Sequence, residues 1–213
     1  MHKLSKIHGH AAAMHIANFD TDQVMPKQFL RGIDKAGLAQ GLFYDLRFDE
    51  YGNPKQNFFL NQPAYERTDV LITGPNYGCG SSREHAVWGM QQFGFKAVIA
   101  SSFAEIFYSN AMGNGLLLAV LPEDQVQALM KEADDKGAPM SLDIDIENLT
   151  VRTLHHEFTF VMSARHRRMF LEGLDVIGLT LKYKTEIDAF AQEHWNEQPW
   201  VKDVARKTMD RLN

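Results

Sequence analysis

The residues best suited to chemistry lie in one short segment, residues 74–85, which read GPNYGCGSSREH. Its glycines allow tight turns in which backbone N–H groups point to one side. Ser81 and Glu84 have the Ser-x-x-Glu spacing of a capping box, which predicts that a helix begins here. The hydroxyls of Ser81 and Ser82, the guanidinium of Arg83 and the positive end of the helix would together attract a carboxylate or a phosphate. The segment therefore predicts an anion site.

Other interpretations of residues 74–85 are open or weaker. A glycine-rich turn with a capping box also occurs where no ligand binds, and the residues alone do not decide between that structural role and an anion site. A nucleotide is not expected, because the segment lacks both the lysine of the Walker pattern and the third glycine of the dinucleotide fingerprint. A nucleophilic Ser81 with His85 as its base would lack an orienting acid.

The segment lies within alternating strands and helices. Apolar runs predict buried strands at residues 70–73, 97–100 and 116–121, and helical spacing predicts helices at residues 82–93, 103–112 and 122–136. Alternation of polar and apolar residues then predicts a hairpin of residues 141–146 and 149–154, a strand at residues 157–161, and helices from residue 165 onward. Residues 8–18 are expected to form one or two short strands. This order predicts an α/β fold.

The composition excludes several classes of protein. A chain of 213 residues with 45% hydrophobic and 23% charged residues is typical of a globular protein, and no stretch approaches the roughly 20 apolar residues that cross a bilayer. The net charge of -5 argues against a nucleic-acid partner. The single cysteine, Cys79, can neither form a disulfide within the chain nor supply the thiolates of an iron–sulfur cluster. Without a secretory signal at the N-terminus, the cytoplasm is the expected location.

Two motifs resemble the aconitase superfamily. Residues 78–86, GCGSSREHA, resemble the signature of its swivelling domain, and residues 20–30, DTDQVMPKQFL, resemble the N-terminal motif of the 3-isopropylmalate dehydratase small subunits. Further similar segments follow in the same order at residues 94–104, 106–110, 114–117 and 173–181. The resemblance implies a swivelling β/β/α domain with C-terminal helices. We place that domain at residues 1–185, with residues 186–213 as its helical extension.

The resemblance also implies an activity, that of a hydro-lyase which interconverts 2-isopropylmalate and 3-isopropylmalate by dehydration and rehydration in leucine biosynthesis. A larger partner chain would carry a [4Fe–4S] cluster that acts as a Lewis acid on the hydroxyl of the small dicarboxylic acid, and this chain would carry no cofactor or metal. By the same resemblance, Ser81 would be the base that removes the proton next to a carboxylate. Ser82 and Arg83 would bind the substrate carboxylates.

A second set of site residues follows from the resemblance of residues 20–30. In related chains the aspartate corresponding to Asp22, in the pair Thr21-Asp22, orients an arginine, and the residues after it contact the substrate. Arg31 is the candidate for that arginine. Residues 85–89 and 162–169 depart from the family pattern, so another branched or methylated malate-type acid is an alternative substrate. A non-catalytic anion-binding module is the alternative from a different class.

Three further features are open to a functional interpretation. The histidines near the N-terminus have spacings that a metal could use, but no acid or cysteine flanks them in sequence, so we interpret them as structural: His2, His8, His10 and His15. A helix start and Arg83 would lower the pKa of Cys79 and make it reactive, although a small filler residue is the preferred interpretation. A poorly periodic aromatic segment is a candidate partner-facing patch: Phe43, Tyr44, Phe48, Phe58 and Phe59.

Overall fold

The computed structural model describes residues 2–30, 36–135 and 137–212. The chain divides into two compact units, Met1–Gly173 and Leu174–Asn213. The division that we predicted between residues 185 and 186 stays a prediction. None of the helices in the described ranges is long and apolar enough to cross a membrane.

The first unit is built on one sheet, whose seven strands, counted over the described residues, are β1 (Lys6–Met14), β2 (Val70–Thr73), β3 (Ala97–Ala100), β4 (Leu117–Val120), β5 (Met140–Asp145), β6 (Thr150–Arg152) and β7 (Glu157–Thr159). Their order across the sheet is β4-β3-β2-β1-β5-β6-β7. The first four are parallel, and β5, β6 and β7 add to β1 in antiparallel fashion. The single strand β1 is therefore the junction between a parallel half and an antiparallel half.

The helices of the first unit are α1 (Thr21–Val24), α2 (Leu38–Gly41), α3 (Tyr44–Arg47), α4 (Glu84–Phe93), α5 (Glu105–Asn114), α6 (Glu123–Asp134) and α7 (Ala164–Glu172). The second unit contains α8 (Val176–Leu181), α9 (Lys184–Glu197) and α10 (Val204–Leu212). Short 3-10 turns occupy Lys27–Leu30, Phe59–Asn61, Pro63–Tyr65 and Pro199–Val201. The short helices α1 to α3 lie in the part of the chain where the sequence shows little periodicity.

The parallel half of the sheet has a direct cause in the sequence. Every residue of β2 and β3 is apolar or a buried threonine, and all eight are buried. Strands of this kind need covered faces and crossover connections, which α4 and α5 supply. Because the strands are parallel, the turns that follow β1, β2 and β3 emerge at the same edge of the sheet. Ligands in α/β sheets bind at this carboxyl edge.

Most predicted elements are present, with one notable error at the start of α4. The bounds predicted for β2 and β3 are confirmed, and residues 8–18 contribute to one strand. The helix after the glycine-rich turn, however, begins at Glu84 with Arg83 as its N-cap residue, and the N-cap makes no side-chain capping bond. The predicted capping box of Ser81 and Glu84 is therefore wrong.

The aromatic segment packs inward. Phe43 is fully buried, and its ring meets those of Phe58 and Phe95 at centroid distances of 6.5 and 6.4 Å. The other four rings are half-buried and pack on neighbouring rings, as Tyr44 does on Phe48 at 4.8 Å. The prediction of a partner-facing patch is wrong for Phe43, because this ring belongs to the core beside α4.

Candidate active site

The site forms where the turn after β2 meets the turn after β1. The amide of Gly78 donates to the carbonyl of Phe19, and the amide of Thr21 donates to the carbonyl of Cys79, both at 2.8 Å. Asp20 and Cys79 thereby form an isolated parallel bridge. These bonds bring together two sequence motifs that are about 60 positions apart along the chain.

Glycine is required at the point where the two turns cross. Gly80 has a φ of +87°, and a Cβ atom there would collide with the carboxylate of Asp20. That carboxylate accepts a 2.6 Å hydrogen bond from the amide of Asp22, and the side chain of Gln23 accepts one from the amide of Asp20 at 3.1 Å. A capping box is thus present, but it begins α1. The Asp20 carboxylate fits against Gly80 only because no side chain intervenes.

Thr21 fixes the backbone of the turn that carries Ser81. Its side chain is only 1% exposed, and its hydroxyl donates a 2.6 Å hydrogen bond to the carbonyl of Ser81. The sequence predicts Thr21 as a substrate-binding residue. Its hydroxyl proton is directed at the backbone of Ser81, so the geometry supports a positioning role.

Ser81 and Ser82 are exposed, whereas the side chain of Arg83 is largely covered, with 12% of it exposed. The guanidinium of Arg83 forms an ion pair with the carboxylate of Asp22 through one of its terminal nitrogens. Among the described residues, the arginine that Asp22 orients is Arg83. The candidate predicted for this role, Arg31, lies outside the described residues.

A cavity of about 230 Å³ opens beside this turn. One wall consists of Thr21, Gly78 and residues 80–83, and the other consists of residues 104–107 at the start of α5. Ile106 on the second wall is 54% exposed. The volume lies below the range of roughly 300–1,000 Å³ that is typical of ligand pockets. Sequence reasoning missed this second wall, because residues 104–107 have no distinctive chemistry as a motif.

The charges around the cavity are mixed. The positive charge of Arg83 is offset by Asp22, and two further acids, Glu84 and Glu105, lie in the first turns of α4 and α5. The side chains at the turn therefore contribute little net positive charge. The positive contribution that remains comes from the start of α4, which is free of a side-chain cap among the described residues.

Cys79 does not have the character of a reactive thiol. Burial, and secondly the negative charge of Asp20, raise the pKa of Cys79 above its usual value. The expectation of a lowered pKa is therefore wrong, because burial, followed by the charge of Asp20, favours the neutral thiol. The residue serves as a half-buried filler between the two turns.

Three of the N-terminal histidines, His8, His10 and His15, lie near acids from distant parts of the chain. His8 is 2.5 Å from Asp143 on β5, and His15 is 2.8 Å from Asp134 on α6. Sequence reasoning missed these partners because they are 135 and 119 positions away. Within residues 2–30, 36–135 and 137–212, no group of three or more His, Cys, Asp or Glu side chains could hold a metal ion.

Comparison with known proteins agrees with this fold. The family model of the aconitase C-terminal domain matches residues 1–124. The fold and the glycine-rich turn thus define a swivelling domain of the aconitase type, as the sequence predicts. A solved structure of 3-isopropylmalate dehydratase (leuD) from Methanocaldococcus jannaschii is 27% identical, has a TM-score of 0.60, and covers 87% of this chain and 99% of its own.

Curated relatives specify the family more narrowly than the domain match does. The chain is 54% identical to "3-isopropylmalate dehydratase small subunit 1" of Chromobacterium violaceum over 210 residues, which is 98% of each chain. It is 45% identical to the small subunit of Phenylobacterium zucineum over 94% of this chain and 98% of the relative. The chain belongs to the family of 3-isopropylmalate dehydratase small subunits.

Proposed function

We propose that this chain forms one wall of the active site of a 3-isopropylmalate dehydratase and supplies the serine that transfers the proton. The observation that carries the proposal is the geometry of residues 80–83. Ser81 and Ser82 are exposed and line the cavity, while Thr21 holds the Ser81 carbonyl and Asp22 holds the Arg83 guanidinium. An exposed side chain on a fixed backbone is the arrangement that proton transfer to a bound substrate requires.

Arg83 and Ser82 are suited to bind a substrate carboxylate. A guanidinium has five N–H donors in a planar fork, and the ion pair with Asp22 is made through one of its terminal nitrogens. The covered position of Arg83 makes each remaining hydrogen bond stronger than it would be in bulk water. The start of α4 lies directly beside these groups and favours a negative ligand.

In this proposal Ser81 acts as the base in dehydration. Its alkoxide oxygen takes the proton from the carbon next to a carboxylate, the C–H electron pair forms the double bond, and the C–O bond to the neighbouring carbon breaks with loss of hydroxide. In rehydration, hydroxide adds to the carbon that lost the proton. The Ser81 hydroxyl then gives its proton to the carbon that lost the hydroxide. An alkoxide needs fixed N–H donors and positive charge, for which Arg83 and the start of α4 are the nearest sources.

The remainder of the site would come from a larger partner chain. An iron–sulfur cluster of this type takes several cysteine thiolates, and this chain has one cysteine, whose pKa is raised, so its residues do not fit a cluster. On the partner the cluster would supply a Lewis acid for departure of the hydroxide. The open form of the cavity supports this division. The cytoplasm stays the location predicted from sequence.

The test is Ser81→Ala in the complex with the larger subunit, assayed anaerobically through the ultraviolet absorbance of the unsaturated intermediate. Because Ser81 is exposed and does not cap α4, stability and complex formation should be unchanged, while kcat should fall by about 10²–10⁴-fold. Ser82→Ala is the matched neighbour and should mainly raise KM.

Near-normal kcat in Ser81→Ala would remove this residue from the proton transfer. Turnover of another malate-type acid in preference to isopropylmalate would support the related hydro-lyase. If the wild-type complex converts no such acid under iron-replete conditions, the chain is an anion-binding module without catalysis.

A further inference from the structure

Asn114, the last residue of α5, is the centre of a hydrogen-bond network that reaches the candidate active site. Its Nδ2 donates to Oε1 of Glu84 at 2.6 Å and to the carbonyl of Asn110 at 2.9 Å. Its Oδ1 accepts from Nε1 of Trp88 at 3.0 Å, and its carbonyl accepts from Nε2 of Gln91 at 2.9 Å. Both donors of the amide are used, so the orientation of the side chain is fixed from three directions.

The three α4 residues that contact Asn114 share one face of the helix. Glu84, Trp88 and Gln91 follow each other at intervals of four and three positions, which places them in a line along the helix. A carboxylate held by Asn114 is therefore drawn along the side of α4, towards Trp88. It is not folded back over the first turn.

The position of Glu84 gives this contact its significance. Glu84 follows Arg83 directly and lies in the first turn of α4, which has no side-chain cap among the residues that the structure describes. An unrestrained carboxylate there is attracted to the positive helix end and to the neighbouring guanidinium. It would then compete with a carboxylate of the substrate for the same groups.

We propose that Asn114 is a positioning residue of the active site, which holds the Glu84 carboxylate along α4 and so leaves Arg83 and the helix start to the substrate. This inference rests on the proposed function, because it assigns the anion at the helix start to the diacid. Asn114 acts through Glu84 and does not itself line the cavity.

The inference predicts a change in KM that depends on the charge of Glu84. In Asn114→Ala the freed carboxylate should raise KM for isopropylmalate by about 3- to 10-fold, the effect of one like charge at a partly covered helix end, with a smaller change in kcat. The increase should shrink at high salt, because screening weakens the competition between the two carboxylates.

The decisive comparison repeats Asn114→Ala in a Glu84→Gln background. The introduced glutamine is neutral and keeps an oxygen for the bond from Asn114, so Glu84→Gln alone should leave KM at or below the wild-type value. Adding Asn114→Ala to it should change KM little further. Gln91→Ala is the matched control, since it removes a bond to the backbone of Asn114 and leaves the side chain in place; its KM should be normal.

All variants are measured in the complex with the larger subunit, with kcat and KM separated and thermal melting recorded. If Asn114→Ala does not fold, Asn114→Asp is measured in its place. Two facing carboxylates should then raise KM. Adding Glu84→Gln should return KM to the wild-type value, because the glutamine amide can donate to the introduced aspartate. A normal KM in Asn114→Ala, or an equal increase in both backgrounds, overturns the inference while the wild type is active. An inactive wild-type complex rejects the proposed function instead, and the inference with it.

Discussion

Replacing Thr21 by valine tests whether its hydrogen bond to the Ser81 carbonyl fixes the turn that carries Ser81. Valine has the shape of threonine without the hydroxyl, and the residue is only 1% exposed, so the change removes the 2.6 Å hydrogen bond to the Ser81 carbonyl with little repacking. A bond of this kind contributes about 0.5–1.5 kcal/mol to the free energy of unfolding. For a chain of this size the melting temperature should fall by about 1–6 °C.

The effect on catalysis should exceed the effect on stability. Without its donor the Ser81 carbonyl can turn towards water, which displaces the side chain that opens to the cavity. A displacement of about 1 Å can cost about 10²-fold in rate, so we expect kcat to fall by about 10- to 100-fold, with a smaller change in KM. The assay is steady-state kinetics of the complex with the larger subunit, combined with urea unfolding of the chain.

Thr21→Ser is the control for Thr21→Val. It keeps the hydroxyl and loses one buried methyl group, which costs about 0.8 kcal/mol, so its stability loss should resemble that of the valine variant. Its kcat should stay close to the wild-type value. Equal losses of kcat in the two variants, or a normal kcat in Thr21→Val, would refute the role of this hydrogen bond.

Two further predictions concern stability. A strained positive φ costs about 1–3 kcal/mol, and Gly80→Ala should lower the free energy of unfolding by more than this, because the new Cβ also meets the Asp20 carboxylate. Gly94→Ala is the control, since Gly94 has a positive φ but open space around it. An equal loss in both variants by urea unfolding would show that the contact with Asp20 costs nothing. Asp145 has its pKa lowered from 3.8 to about 2, first by the amide of Asn148 and also by Lys6. A lowered pKa means that the ionised carboxylate stabilises the fold above pH 4 and that this contribution is lost as the pH falls to 2. Asp145→Asn should therefore be less stable than wild type at pH 7, and the two stabilities should converge near pH 2. A constant difference between their urea midpoints across that range would contradict this prediction.

Local periodicity was sufficient to predict an element whose form depends only on its own few residues. Four consecutive apolar residues between turn residues are typical of a short buried strand, and β3 was predicted with its observed bounds. The same reasoning failed for residues 81–84. Their spacing matches a capping box, but α4 begins only at Glu84, and the Glu84 carboxylate accepts a hydrogen bond from Asn114. A motif of four residues does not contain this competing partner.

The sequence by itself determined the layered α/β order, the glycine-rich turn and the chemical groups in it, since each follows from side-chain type and from spacing along a few residues. The tertiary structure decided which groups meet. Asp22 pairs with Arg83 because parallel β1 and β2 release their turns at the same sheet edge. The same packing raises the pKa of Cys79, first by burying the thiol and then by placing Asp20 beside it. Such contacts depend on distances between segments that are remote along the chain, and no local pattern encodes them.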